Sequence, residues 1–315
     1  MTRAFVFPGQ GSQAVGMGKA LAEAFPQARA VFDEVDEALS QKLSALIWEG
    51  PAEELTLTAN TQPALMAVSL AAIRVLEAEA GLDLARDAAF VAGHSLGEYS
   101  ALAAARSLTV ADTARLLRIR GNAMQNAVPV GQGAMAALLG LEVDAAVAAA
   151  REAAQGEVCD PANDNGGAQV VVSGHRTAVE RAVKIAQERG AKRAVMLAVS
   201  APFHCALMAP AADAMRAALA DVAVAAPVVP VVANVEAGPV TDPDRIRDAL
   251  VRQVTGTVRW RESVAYMAER GVDAFYEVGA GKVLTGLVKR IAAGASAAAI
   301  GGPDEVQSFK ASLQA

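Results

Sequence analysis

The sequence predicts an α/β fold: a mostly parallel sheet covered on both faces by helices, with a smaller unit inserted into it. Three observations predict it. Strand-like and helix-like segments alternate along most of the chain, as a parallel sheet with crossover helices requires. Between residues 128 and 198 the order changes to β-α-β-β-α-β, the ferredoxin-like order. Hydrophobic residues make up 53% of the 315 and charged residues 20%, so a large core can be buried.

The elements follow in order. Residues 2–7 read as a buried first strand that ends in the loop Pro8-Gly9-Gln10-Gly11-Ser12-Gln13. Residues 18–39 are helical with an interruption near Pro26, and 61–80 form an alanine-rich helix with Gln62 and Pro63 at its start. A short apolar strand over 88–92 precedes a helix over 98–105; another helix spans 110–120, where Gly121 is expected to stop it. The inserted unit then reads as strand 133–139, helix 144–154, strands 157–160 and 169–173, helix 177–189 and strand 192–199. Its two central strands are joined by the turn-rich run Pro161-Ala162-Asn163-Asp164-Asn165-Gly166-Gly167. Beyond it come the loop Pro202-Phe203-His204, a helix over 210–222 and a proline-spaced strand over 228–234. Helices over 243–253 and 259–270, a strand over 272–278 and a last helix over 283–293 complete the pattern. The division is therefore a core made of residues 1–127 and 199–315, with 128–198 as the small subdomain.

Composition excludes several roles. A net charge of −6 is wrong for a nucleic-acid binder, which needs a basic face for phosphates. Cys159 and Cys205, the two cysteines, are too few for a disulfide framework and fit a reducing, cytoplasmic setting. The first residues enter a strand without a long apolar leader, and the apolar stretch 222–235 carries Pro227 and Pro230 and is too short to span a bilayer. No membrane association is expected.

The chemistry is concentrated in Gly93-His94-Ser95-Leu96-Gly97, a G-x-S-x-G motif between a predicted strand and a predicted helix. That context is a nucleophile elbow: the glycines permit a sharp turn, and the serine hydroxyl is held above the helix N-terminus. Ser95 is the expected nucleophile, and a serine needs a base. There are three histidines. His94 adjoins Ser95, so its side chain should diverge from it, and His175 reads as a solvated loop residue. His204 lies where the insert returns to the main sheet, in the Ser-then-His order of elbow enzymes, and is the expected base. A third, orienting acid is not evident. Asp160 and Asp164 fall in the right interval but belong to the insert, and a backbone carbonyl could serve instead. No metal or cofactor is expected. Gly9-x-Gly11-x-x-Ala14 fails as a dinucleotide fingerprint because Asp33 and Asp36 sit in a helical stretch. Gly18-Lys19 fails as a P-loop, the insert lacks the stacking aromatics of an RNA binder, and Cys205 reads as a buried thiol.

These residues resemble the malonyl-CoA:acyl carrier protein transacylases and the acyltransferase domains of polyketide synthases. The likeness runs nearly the whole chain: Phe7-Pro8-Gly9-Gln10-Gly11-Ser12-Gln13, Asn60-Thr61-Gln62-Pro63-Ala64, the elbow, Arg120-Gly121, Pro202-Phe203-His204, Gln253, and Glu277-Val278-Gly279-Ala280-Gly281-Lys282. It implies an α/β-hydrolase-like core with a ferredoxin-like insertion. It implies that Ser95 attacks a malonyl thioester while His204 takes its proton, and that the N–H groups of Leu96 and Gln10 form the oxyanion hole. It further implies that Arg120 pairs with the malonyl carboxylate, that a main-chain carbonyl near Gln253 orients the histidine, and that Phe203 favours malonyl over methylmalonyl. The partners implied are malonyl-CoA and acyl carrier protein, which brings its own phosphopantetheine; the chain itself is expected to act as a monomer. Thr257 and Ala280 stand where the family often has proline. Taken on its own, Arg120 at a helix end beside Arg115 and Arg118 reads as a solvent-facing cation. A serine thioesterase or esterase and a non-catalytic interaction protein remain as rival readings. Carrier docking would need a basic patch, either Lys282, Lys289 and Arg290 or Lys184, Arg189, Lys192 and Arg193.

Overall fold

Strand Arg3–Phe7 shows why the main sheet lies between two helical layers. Phe5 and Phe7 join one hydrophobic cluster while Ala4 and Val6 join another, the alternation of a strand buried on both faces. The computed structural model describes residues 1–314. In chain order its strands are β1 (Arg3–Phe7), β2 (Phe90–Gly93), β3 (Gly133–Leu139), β4 (Cys159–Asp164), β5 (Gln169–His175), β6 (Arg193–Met196), β7 (Val231–Ala233), β8 (Gly238–Val240), β9 (Ala274–Val278) and β10 (Ser296–Ile300). Six of them form a sheet in the order β10-β9-β1-β2-β7-β8, parallel except for the edge pair β7 and β8. The other four form a wholly antiparallel sheet in the order β4-β5-β3-β6.

Helix Thr58–Ala80 crosses the first cluster, and its middle, Ala64 through Ile73, is all but sealed from solvent on every side. Helix Val110–Asn126 packs against it and runs through Gly121, correcting the expectation that this glycine ends it. A Cβ on Gly121 would stand 2.6 Å from Cα of Ala59, so the glycine permits close helix approach instead of stopping the helix. The opposite face is covered by Trp260, Val264 and Met267 of helix Trp260–Glu269 and by Leu284, Leu287 and Val288 of helix Val283–Ile291.

The chain does not end on that helix, as the sequence reading had it. Strand β10 adds the sheet's outer edge beside β9, and helix Pro303–Gln314 packs Val306 and Phe309 into the first cluster. The alanines of β10 carry little strand propensity, so pairing with β9 decides that segment. His175 is also corrected: it ends β5 and its Nδ1 accepts from the amide of Val158 at 2.9 Å.

In the antiparallel unit β3 turns Ala134, Ala136 and Leu138 toward its own two helices, while Met135 and Ala137 face the main body. A short parallel bridge between Asn163 and Val258 joins the two parts. The Thr257 hydroxyl donates to the Pro161 carbonyl there, and Arg261 pairs with Asp164 at 2.8 Å.

Candidate active site

Ser95 lies just beyond the end of β2, after His94, and precedes helix Gly97–Ala104, so the chain reverses within a few residues. A side chain on Gly93 would collide with the backbone of Gly97, and one on Gly97 with the carbonyl of Phe7. Only glycines allow the turn to close. Ser95 itself is held at φ 53°, in the left-handed region, where a non-glycine residue is strained.

Side chains from distant segments hold this conformation. The Ser95 amide donates to Asn234 Oδ1 at 2.8 Å, and Asn234 Nδ2 donates to the Gly93 carbonyl at 2.7 Å. Gln253 Nε2 donates to the Ser95 carbonyl at 3.0 Å. Glu98, buried in the first turn after the nucleophile, accepts at Oε2 from the Asn234 amide and from Gln253 Nε2, both at 2.9 Å.

Ser95 Oγ lies 2.7 Å from His204 Nε2, and His204 Nδ1 lies 2.8 Å from the main-chain oxygen of Gln253. A carbonyl can only accept, so Nδ1 carries the proton and Nε2 presents its lone pair to the serine hydroxyl. Burial, reinforced by the positive charge of Arg120, pulls the His204 pKa down to about 3. The imidazole is therefore neutral at physiological pH. Neither Asp160 nor Asp164 partners His204: the Asp160 carboxylate accepts from the Ala206 amide and Asp164 pairs with Arg261.

Arg120 does not face solvent. It is 1% exposed, and burial lowers its pKa from the usual arginine value. Nη1 donates to Gln62 Oε1 at 2.8 Å, and Nη2 donates to Gln253 Oε1 at 2.8 Å and to Ser95 Oγ at 3.1 Å. A buried guanidinium with neutral amide partners remains short of an anion. Gln10, Ser95, Leu96, Arg120, Phe203 and His204 line one cavity of about 360 Å³. Gln253 lies behind it, fully buried. Among the described residues the amides of Leu96 and Gln10 donate to no protein acceptor, which leaves both free for an oxyanion.

All seven expected residues therefore meet at one site. His94 turns away from the nucleophile, its Nε2 lying 2.9 Å from Asn165 Oδ1, with burial lowering its pKa. Cys205 is buried and its Sγ donates to the Pro202 carbonyl; burial raises its pKa to about 11, so it is no rival nucleophile. Sequence reading missed Asn234, Glu98 and the role of Gln62. A lone Asn ending a strand or a Glu beginning a helix carries no signal of its own, although Gln62 does lie inside one of the quoted motifs.

A serine hydroxyl poised on a neutral histidine, with two free amides and a buried cation, is equipment for covalent acyl chemistry. The chain belongs to the acyltransferase family, whose acyl transferase domain it matches over residues 4–309. It is 52% identical over 301 residues to the malonyl CoA-acyl carrier protein transacylase of Escherichia coli K12, covering 95% of this chain and 96% of that one. Its fold superposes on the acyl-carrier-protein-S-malonyltransferase of Bartonella henselae with a TM-score of 0.98, at 56% identity and full coverage of both chains. A malonyl-transacylase solved in complex with its type II polyketide acyl-carrier protein is similar at TM-score 0.96 and 44% identity, covering 99% of this chain and 100% of that one.

Proposed function

We propose that this enzyme transfers a malonyl group from malonyl-CoA to the phosphopantetheine thiol of acyl carrier protein, supplying fatty acid synthesis. The observation that carries the reading is the Arg120 guanidinium beside the nucleophile, with Nη2 3.1 Å from Ser95 Oγ. In a malonyl ester the free carboxylate lies one methylene beyond the reacting carbonyl, so a cation is needed close to the serine. A planar guanidinium can grip that carboxylate with two nitrogens and keeps its charge when buried.

In the first half-reaction Ser95 Oγ attacks the thioester carbonyl as His204 Nε2 takes the hydroxyl proton. The tetrahedral oxyanion is received by the Leu96 and Gln10 amides; the C–S bond then breaks, and His204 returns the proton to the coenzyme A thiolate. In the second, the carrier thiol gives its proton to His204 and attacks the malonyl-serine ester. The C–O bond breaks and Ser95 recovers its proton. The Gln253 carbonyl holds the imidazole through both halves, and Phe203 limits the space beside the malonyl methylene. No further cofactor enters this cycle.

The same reading takes the six-stranded sheet as an α/β-hydrolase-like core built from residues 1–127 and 199–315, with 128–198 as a ferredoxin-like subdomain. The β-α-β-β-α-β order and the sheet order β4-β5-β3-β6 support it. We take the enzyme to act as a cytoplasmic monomer; among the described residues no helix is long and apolar enough to cross a membrane.

The test is intact mass after incubation with malonyl-CoA, followed by holo acyl carrier protein. The expected result is a malonyl adduct that Ser95→Ala abolishes and that moves to the carrier. Free malonate without carrier loading would mean a thioesterase. Loading of a polyketide carrier in preference to a fatty acid carrier would place the enzyme in that pathway.

A further inference from the structure

The nucleophile's strained backbone has a specific brace. Asn234, fully buried at the end of β7, makes two hydrogen bonds to the elbow from one carboxamide: its Oδ1 accepts from Ser95 N at 2.8 Å and its Nδ2 donates to Gly93 O at 2.7 Å. These bonds lie on either side of His94, so the side chain spans the turn where φ of Ser95 becomes positive. The brace is itself anchored, since the Asn234 amide donates to Glu98 Oε2 at 2.9 Å and Gln253 Nε2 approaches Asn234 Oδ1 at 3.3 Å. Asn234 also withdraws the Ser95 amide from the cavity, so that amide cannot serve an oxyanion.

We infer that Asn234 is a positioning residue for the transfer reaction: its carboxamide keeps Ser95 in the left-handed conformation that sets Oγ against His204. The argument is one of matched groups. The turn offers one donor, Ser95 N, and one acceptor, Gly93 O, and a primary amide answers both at once while staying neutral at every physiological pH. Losing it leaves two backbone groups unsatisfied beside the nucleophile and removes a restraint on a strained residue. Displacement of a reacting atom by about 1 Å can slow a reaction on the order of 100-fold.

The inference rests on Ser95 being the nucleophile, and its test avoids the choice of acyl group. The readout is the second-order rate at which a neutral fluorophosphonate labels Ser95, corrected for the folded fraction by circular dichroism. Asn234→Ala is expected to slow labelling about 100-fold; labelling within about threefold of wild type overturns the inference. Asn234→Asp adds a readout that packing alone would not move. A protonated carboxyl has one donor and one acceptor and reproduces the carboxamide, whereas the carboxylate faces the Gly93 oxygen with a second acceptor. The titratable and charged neighbours are Glu98, on the Asn234 amide; His94, between the two bonded backbone groups; Arg259, whose amide donates to the Asn234 carbonyl at 3.1 Å; Glu236, two residues on; and Arg120 and His204, each reached through Gln253. All six are present in wild type, so the variant is read as a ratio to wild type. That ratio is expected to rise as pH falls from about 8 to about 5. A ratio constant with pH overturns the inference, and this isosteric variant decides the matter if Asn234→Ala does not fold. Wild-type protein that labels readily but takes no malonyl group would overturn the proposed substrate and leave the role of Asn234 to be decided by these variants.

Discussion

Arg120 Nη2 donates to Ser95 Oγ at 3.1 Å while also donating to Gln253 Oε1 at 2.8 Å, so the cation and the nucleophile share one small polar cluster. The guanidinium carbon also lies over the Tyr99 ring, 5.6 Å from its centre, which further limits where the side chain can go. Replacing Arg120 by alanine is expected to lower kcat/KM for malonyl-CoA on the order of 100-fold, about 3 kcal/mol of transition-state binding. Acetyl-CoA, which has no second carboxylate, should lose far less. Acylation rates with the two donors check this, and equal losses would remove Arg120 from the specificity argument. Lysine at this position should recover only part of the loss, since an ammonium lacks the planar fork.

His204 is held neutral, with its pKa pulled down to about 3 by burial and then by Arg120. An ordinary histidine base would lose activity as pH falls through about 6.5. Here labelling of Ser95 by a neutral fluorophosphonate should stay level from about pH 8 to about pH 5. A decline centred near 6.5 would show that the ring titrates normally. His204→Ala should slow the same labelling by roughly 1,000-fold at every pH in that range.

Glu98 behaves in the opposite sense. Burial raises its pKa to about 7, against the pull of the Asn234 amide, Gln253 and Arg120. An acid whose folded pKa lies above its unfolded value adds stability below the unfolded value and loses it as pH rises through the folded one. Glu98→Gln keeps an acceptor oxygen but cannot ionise. The Tm of this variant minus that of wild type should therefore increase between about pH 5 and about pH 8. A difference that is flat or falls with pH would falsify the assignment of a buried, reluctantly ionised carboxyl.

Gly121 lies where two helices meet. Gly121→Ala places a methyl group 2.6 Å from Cα of Ala59, a contact with backbone that cannot rotate away. The expected destabilisation is about 1–3 kcal/mol, measured by chemical denaturation. A gain in stability, the usual result of replacing glycine within a helix, would mean that the two helices can separate at little cost.

The elbow was legible because its requirements are local. Glycines at 93 and 97 around a serine, between an apolar strand and a helix, allow few other geometries, and the Ser-then-His order pointed to His204. The order of strands and helices over 133–196 was legible for a similar reason, since its two amphipathic helices and most of its strands each reveal themselves within about a dozen residues, although β4 runs on to Asp164 through a stretch that reads as turn. Element ends were less so. Gly121 looked like a stop, although the helix continues because packing against Ala59 outweighs glycine's propensity. Strand β10, an alanine run, has its identity assigned by β9 alone.

By itself the sequence singled out Ser95 and His204 and the alternation that makes a parallel sheet, because each is written in neighbouring residues. It also placed Arg120 and Gln253 in the site, but only by resemblance; the residues alone read Arg120 as a solvent-facing helix end. Only the tertiary structure decided that Arg120 turns inward, that the Gln253 carbonyl accepts from His204 Nδ1, and that Asn234 and Glu98 hydrogen-bond around the elbow. Those relationships join residues 25 to 158 positions apart in the chain. Hydrogen-bond partners of that separation are chosen by how the layers pack, and no local pattern of residue types encodes them.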